Sequence, residues 1–135
     1  MTDVLDKQRK KTLLQQFKEM KPDMGIFAIR NRASGKCWLA VSQNLKGAIN
    51  STLFGLRLGS FPQRDLQRDW KELGESGFAV EILETLSYDK DETKTDYSEE
   101  LAILRMLWEE RLAKEGTVLY GSDREKGIRL PAGRG

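Results

Sequence analysis

The sequence predicts an α/β (α+β) domain in which a small, mostly antiparallel sheet is flanked by helices. Three observations predict it. Two apolar runs of strand length, Gly25–Ile29 and Cys37–Val41, stand on either side of the polar stretch Asn31–Lys36, the layout of a hairpin turning at Ser34-Gly35. A third run, Phe78–Leu86 (FAVEILETL), has the β-branched and apolar bulk of another strand. Around these runs, apolar residues recur at helical rather than alternating spacing.

The elements follow in order. Over about Val4–Met20, Leu13, Phe17 and Met20 fall at i, i+4 and i+7 among Lys and Arg, so residues 1–21 read as an amphipathic helix docked through its second half. Lys21-Pro22-Asp23 ends it. The hairpin Gly25–Ser42 opens the main unit, residues 22–115. A helix then runs from Asn44 to Leu58 with Leu45, Ile49, Leu53 and Leu56 on its apolar side, broken by Gly59 and Pro62. A second helix, Arg64–Leu73, closes at Gly74. Ser87–Glu100 is polar and acidic and is expected to be a mobile loop, and Ser98 is placed to cap a last helix over Glu99–Lys114. Residues 116–135 carry five glycines and no period, the pattern of an irregular tail. No internal repeat or domain boundary is evident.

Composition narrows the chemistry. A chain of 135 residues, 39% apolar and 33% charged, suits one soluble domain. No apolar run approaches the ~20 residues of a membrane span, and the N-terminus lacks an apolar signal core. A cytoplasmic location is the expectation, with no membrane partner. The single cysteine, Cys37, reads as a buried strand residue. The absence of histidine removes Ser-His and Cys-His nucleophile pairs, histidine bases and histidine metal sites. Any chemistry must rest on carboxylates, Lys, Arg or Tyr.

Charge is polarised along the chain. Residues 30–70 hold seven bases against Asp65 and Asp69, or +5, while residues 84–100 hold seven acids against Lys90 and Lys94, or −5. The basic stretch fits either a surface for phosphates or a set of solvated helix faces.

Three short motifs narrow the fold further. "GIF" at Gly25–Phe27, "WLA" at Trp38–Ala40 and "SQNL" at Ser42–Leu45 resemble, in order and spacing, the opening motifs of the GIY-YIG nuclease superfamily. "LQRDWKELGESGFAVEILE" at Leu66–Glu84 and "LAILRMLWEERL" at Leu101–Leu112 are similar to later segments of one bacterial subgroup. The resemblance covers about Met24–Leu112. It implies a three-stranded antiparallel sheet with helices on both sides.

It also implies a site that this chain does not complete. Such nucleases use two hairpin tyrosines, a helix arginine and a glutamate that holds one divalent cation. The matching positions are Phe27 and Trp38 for the tyrosines, Ala48 or Ser51 for the arginine, and Arg105 for the glutamate. Ala40 replaces the second-motif glycine, and Phe61 and Gln63 stand where the subgroup tends to have histidine and asparagine. Phosphoryl transfer depends on positioning and on neutralising charge at the phosphate oxygens, so four coincident losses are hard to bypass. No cofactor is expected; Mg²⁺ or Mn²⁺ would matter only if the domain were active after all.

Arg105 has two readings. Its guanidinium takes the place of the absent cation and clamps a phosphate, or it makes an internal ion pair with Glu81, Glu84 or Glu109. Glu81 and Glu84 are expected on opposite faces of their strand and so unable to share a metal. The expected function is nucleic-acid binding (DNA or RNA) without hydrolysis, through Arg30, Arg32, Lys36, Lys46, Arg57, Arg64 and Arg68. The alternatives are a protein-binding module using a vacated pocket at Phe27, Trp38 and Phe61, or a metal-dependent nuclease with a rearranged site.

Overall fold

The computed structural model of the chain describes residues 21–121. The helix expected before Lys21 and the tail after Gly121 lie outside the described residues. Three strands, β1 (Met24–Asn31), β2 (Cys37–Ser42) and β3 (Phe78–Leu86), form one antiparallel sheet in the order β2-β1-β3. Three helices complete the fold: α1 (Leu45–Leu58), α2 (Arg64–Leu73) and α3 (Ser98–Lys114). This is the α+β architecture that the sequence predicts. Among the described residues, no helix is long and apolar enough to cross a membrane.

β1 is the central strand and is buried on both faces, which explains why its apolar residues run on without polar alternation. Met24, Ile26 and Ala28 face one core with Leu101, Leu104 and Leu112 of α3. Phe27 and Ile29 face the other, with Leu45 and Leu56 of α1 and Leu66 and Trp70 of α2. The sheet therefore separates α3 from α1 and α2.

Local chemistry sets the helix ends. The Asn44 side chain accepts a hydrogen bond from the Gly47 N–H and starts α1, and Gly59 closes it in the left-handed conformation at φ 82°. The Gln63 side chain accepts from the Leu66 N–H at the start of α2. α3 departs from expectation: Ser98 is its first residue, Tyr97 takes the N-cap position, and the Asp96 carboxylate accepts from the Ser98 N–H.

The segment before α3 also departs from expectation. Within the acidic run, Tyr97 is 4% exposed, stacks edge-on against Tyr88 at 5.5 Å, and accepts a hydrogen bond from the Asp89 N–H. Gln43 accepts from the Tyr97 N–H and donates to the Thr95 carbonyl. Two aromatic anchors fasten a loop that its charge alone marks as mobile.

β3 carries an irregularity with consequences. Ile26 pairs with Glu84 and Phe27 with Ile82, so Leu83 is an extra residue bulged out of the ladder. The expected alternation fails there. Glu81, opposite Ala28, and Glu84, opposite Ile26, share the α3 face rather than pointing to opposite sides.

The described part of the tail forms no helix or ladder strand, yet it is anchored. The Cys37 N–H donates to the Val118 carbonyl and the Tyr120 N–H donates to the Cys37 carbonyl, continuing β2 by one parallel bridge. Cys37 is fully buried beneath it, and burial pushes its thiol pKa up. A neutral, inaccessible thiol is a poor nucleophile. The folded protein should resist a thiol-labelling reagent at neutral pH and react stoichiometrically in denaturant; fast labelling of the native state would contradict this packing.

Candidate functional site

The two hairpin positions that match the nuclease tyrosines do come together. Phe27 on β1 and Trp38 on β2 lie on the α1 face, with ring centroids 6.0 Å apart and an interplanar angle of 68°. Phe61, from the α1–α2 connection, meets Trp38 edge-on at 5.0 Å, and Ala48 of α1 packs beside them. Phe27 is fully buried. The three rings pack on one another between hairpin and helix, with Trp38 and Phe61 half-buried. Ser51 is exposed on α1. Neither Ala48 nor Ser51 brings a charge to the site.

A tyrosine at position 27 would have to place its hydroxyl in this packed apolar layer. Phe27→Tyr is expected to cost about 1–2 kcal/mol of stability, measured by denaturant unfolding, since an unpartnered buried hydroxyl is unfavourable. A neutral or stabilising effect would mean that the ring end reaches water or a hydrogen-bond partner.

Arg105 is not part of this constellation. It is exposed on α3, in the layer on the other side of the sheet, and its Nε donates to Glu109 Oε2 at 3.2 Å, an i,i+4 pair. Of the two readings, the structure supports the internal ion pair. Glu81 accepts a two-pronged contact from Arg30, Nε–Oε2 3.1 Å and Nη2–Oε1 3.0 Å. Glu84 accepts from the Trp108 indole N–H at 2.8 Å. Although both carboxylates share a face, each is already engaged. No group of three His, Cys, Asp or Glu among the described residues is arranged to hold a metal.

The seven basic residues divide into groups. Arg30 points to the α3 side and is committed to Glu81, whose hydrogen bond holds its guanidinium pKa above the ordinary value. Arg57 makes a two-pronged pair with Glu75 at 2.9 and 2.6 Å. That contact holds the Glu75 carboxyl below the usual carboxylate range, so its contribution is present at neutral pH and is lost as pH falls through the depressed pKa. Arg68 reaches Asp65 at 3.2 Å and Asp69 at 3.5 Å. Arg32 donates to the Phe78 carbonyl, and the Lys36 ammonium lies 5.4 Å from the centre of the Tyr120 ring. Lys46 at the start of α1 and Arg64 at the start of α2 are exposed, with no ion pair among the described residues.

Sequence reasoning missed a buried polar junction. The Asn31 amide donates to Tyr120 Oη at 3.0 Å and approaches Asp69 Oδ2 at 3.5 Å, while the Tyr120 hydroxyl donates to the same oxygen at 2.7 Å. Asn31 Oδ1 also accepts from the Ala33 and Ser34 N–H groups. Asn31 reads as a turn residue, and Tyr120 lies in a stretch without periodicity. The Asn-x-x-Ser turn composition is the available signal, and it points only to the local half of this network.

The three-stranded antiparallel sheet in the order β2-β1-β3, with helices on both faces, is a GIY-YIG-like α+β fold. The catalytic domain of the homing endonuclease I-TevI, a GIY-YIG nuclease, superposes with a TM-score of 0.56 at 22% identity, over 73% of this chain and 99% of that one. A second structure of that domain, an intron-endonuclease variant with a glutamate changed to alanine, aligns at 25% identity and a TM-score of 0.45, over 59% of this chain and 84% of that one. No protein-family model and no curated protein sequence matches the chain.

Proposed function

We propose that this domain binds nucleic acid and does not cut it. The observation that carries the reading is the closed Phe27–Trp38–Phe61 aromatic stack on a nuclease fold, at the positions where the chemistry needs tyrosine hydroxyls. No residue at those positions can activate a nucleophile, and Arg105 supplies no oxygen to a cation. The tyrosines elsewhere offer no rescue: Tyr97 and Tyr120 are buried and hydrogen-bonded within the fold, and the Tyr88 hydroxyl donates to the Pro22 carbonyl. The fold is shared with the catalytic domain of a homing endonuclease, which supports a nucleic-acid ligand.

Binding would be electrostatic and not base-specific. Arg30, Arg57 and Arg68 are engaged by neighbouring carboxylates, which leaves Lys46, Arg64 and Arg32 as the main candidates for phosphate contact. Each neutralised phosphate of a duplex contributes a slope of roughly −0.9 in log K against log salt. Three contacts give a slope of roughly −3, whereas all seven would give roughly −6.

The test incubates the protein with labelled single- and double-stranded DNA and RNA, with and without Mg²⁺ or Mn²⁺, and scores binding and cleavage together. The expected result is binding with the shallower slope and no cut product, weakened by Lys46→Ala and Arg64→Ala, each reducing the slope by about 1. Cleavage that a chelator abolishes would overturn the reading of an inactive site. Salt-insensitive binding, or none, would overturn the phosphate reading.

A further inference from the structure

α1 carries an aromatic ring that belongs to neither hydrophobic core of the described residues. Phe54 is 62% exposed, and Leu58, one turn further on, is 65% exposed. At 3.6 residues per turn, position 54 lies on the opposite side of the helix from Leu45 and Leu56, the residues that α1 buries. Caps at Asn44 and Gly59 fix both ends of the helix, and with them the register that turns Phe54 outward.

The charge beside the ring has one sign. α1 (LKGAINSTLFGLRL) contains no acidic residue, and its charged side chains are Lys46 and Arg57. On a helical projection both fall on the same side of Phe54, together with Asn50. Along the axis Lys46 lies about 12 Å, Asn50 about 6 Å and Arg57 about 4.5 Å from Phe54. Glu75 holds Arg57, whereas Lys46 and Asn50 are exposed.

Size and charge together select the occupant. Phe54 and Leu58 make a patch far smaller than the roughly 20–30 residues a side of a stable protein interface. One phenyl ring is the size of platform that a nucleobase stacks on, and the phosphates on either side of that base are anions suited to an acid-free helix. In a duplex the base faces are stacked on one another; in a single strand they are open to an aromatic side chain.

We infer that α1 binds single-stranded nucleic acid, with a base stacked on Phe54 and the adjoining backbone beside Asn50 and Lys46. This rests on the nucleic-acid reading above and narrows it to single strands. It adds no base preference, because every base has a π-face.

The test compares the full chain with its Phe54→Ala, Phe54→Leu and Phe54→Trp variants on labelled DNA probes of equal length: a single strand, the duplex, and an abasic single strand that keeps the phosphates and lacks the bases. Phe54→Ala and Phe54→Leu are each expected to lose about tenfold in affinity for the intact single strand, and Phe54→Trp to retain it. All of them should keep the native Tm, the salt slope, and the affinity for duplex and abasic strand, since the ring is exposed and uncharged. Lys46→Ala should instead reduce the single-strand slope by roughly 0.7. If the probes bind but the Phe54 variants match the native protein, or lose equally on the abasic strand or the duplex, this inference is overturned and the nucleic-acid reading stands. If the native protein binds none of the probes, both are overturned.

Discussion

Gly25→Ala is expected to destabilise the domain by about 3 kcal/mol or more, at the upper end of what overpacking costs. A Cβ at this position would lie 2.0 Å from the Glu84 carbonyl oxygen and 2.8 Å from the Thr85 Cα. Both are backbone atoms of β3, held in register by the β1–β3 ladder at Gly25–Thr85 and Ile26–Glu84. No rotamer change can relieve such a contact; the strand itself must move, and with it the Leu83 bulge. In a domain of about 100 residues this corresponds to a fall in Tm of roughly 12 °C or more. Urea unfolding of the two proteins checks it directly. A loss below about 1 kcal/mol would mean that β3 shifts easily, and the close approach would not be a constraint on the fold. The first glycine of the "GIF" motif is thereby explained by packing between strands, without appeal to catalysis.

Asn31→Ala is expected to cost roughly 3 kcal/mol, more than the ~1 kcal/mol of a single hydrogen bond. The asparagine is 3% exposed and joins three parts of the chain: its own turn, Asp69 on α2, and Tyr120 after α3. Truncation leaves two turn N–H groups without their acceptor and removes the amide donor from Tyr120 Oη and Asp69, which keep only their bond to each other within this network. It should also loosen residues 117–121 from the edge of β2, because the Asn31–Tyr120 hydrogen bond holds that segment beside the backbone bridge at Cys37. The readouts are equilibrium unfolding for the stability and hydrogen exchange at the Cys37 and Tyr120 amides for the loosening. If exchange there were unchanged while stability fell, the network would be supporting the hairpin turn alone. Tyr120→Phe supplies a milder comparison, removing one donor from a ring that stays packed.

Much of the fold was legible because it is written in short-range patterns. Strand-length apolar runs separated by a polar turn located the hairpin, Asn44 and Gly59 bracketed α1, and Gly74 stopped α2. The order and spacing of "GIF", "WLA" and "SQNL" led to the same fold that the superposition shows. What escaped were features that require two distant segments at once. The Leu83 bulge, which turned Glu81 and Glu84 onto one face, exists only in the pairing with β1. Tyr88 and Tyr97 hold their loop through contacts with each other and with Pro22 and Gln43. The basic run looked like one surface because charge was counted along the chain, whereas the sheet places Arg30 apart from α1 and α2 and carboxylates engage Arg57 and Arg68.

By itself, then, the sequence determined the α+β class and the succession of elements, since local propensity, capping and spacing are properties of neighbouring residues. Only the tertiary structure decided that Phe27, Trp38 and Phe61 close on one another, that Arg105 stands across the sheet from them with Glu109, and that Phe54 is exposed on the outer side of α1. Those outcomes depend on which faces meet and which charges find partners, and a linear pattern does not contain that information until the strands pair.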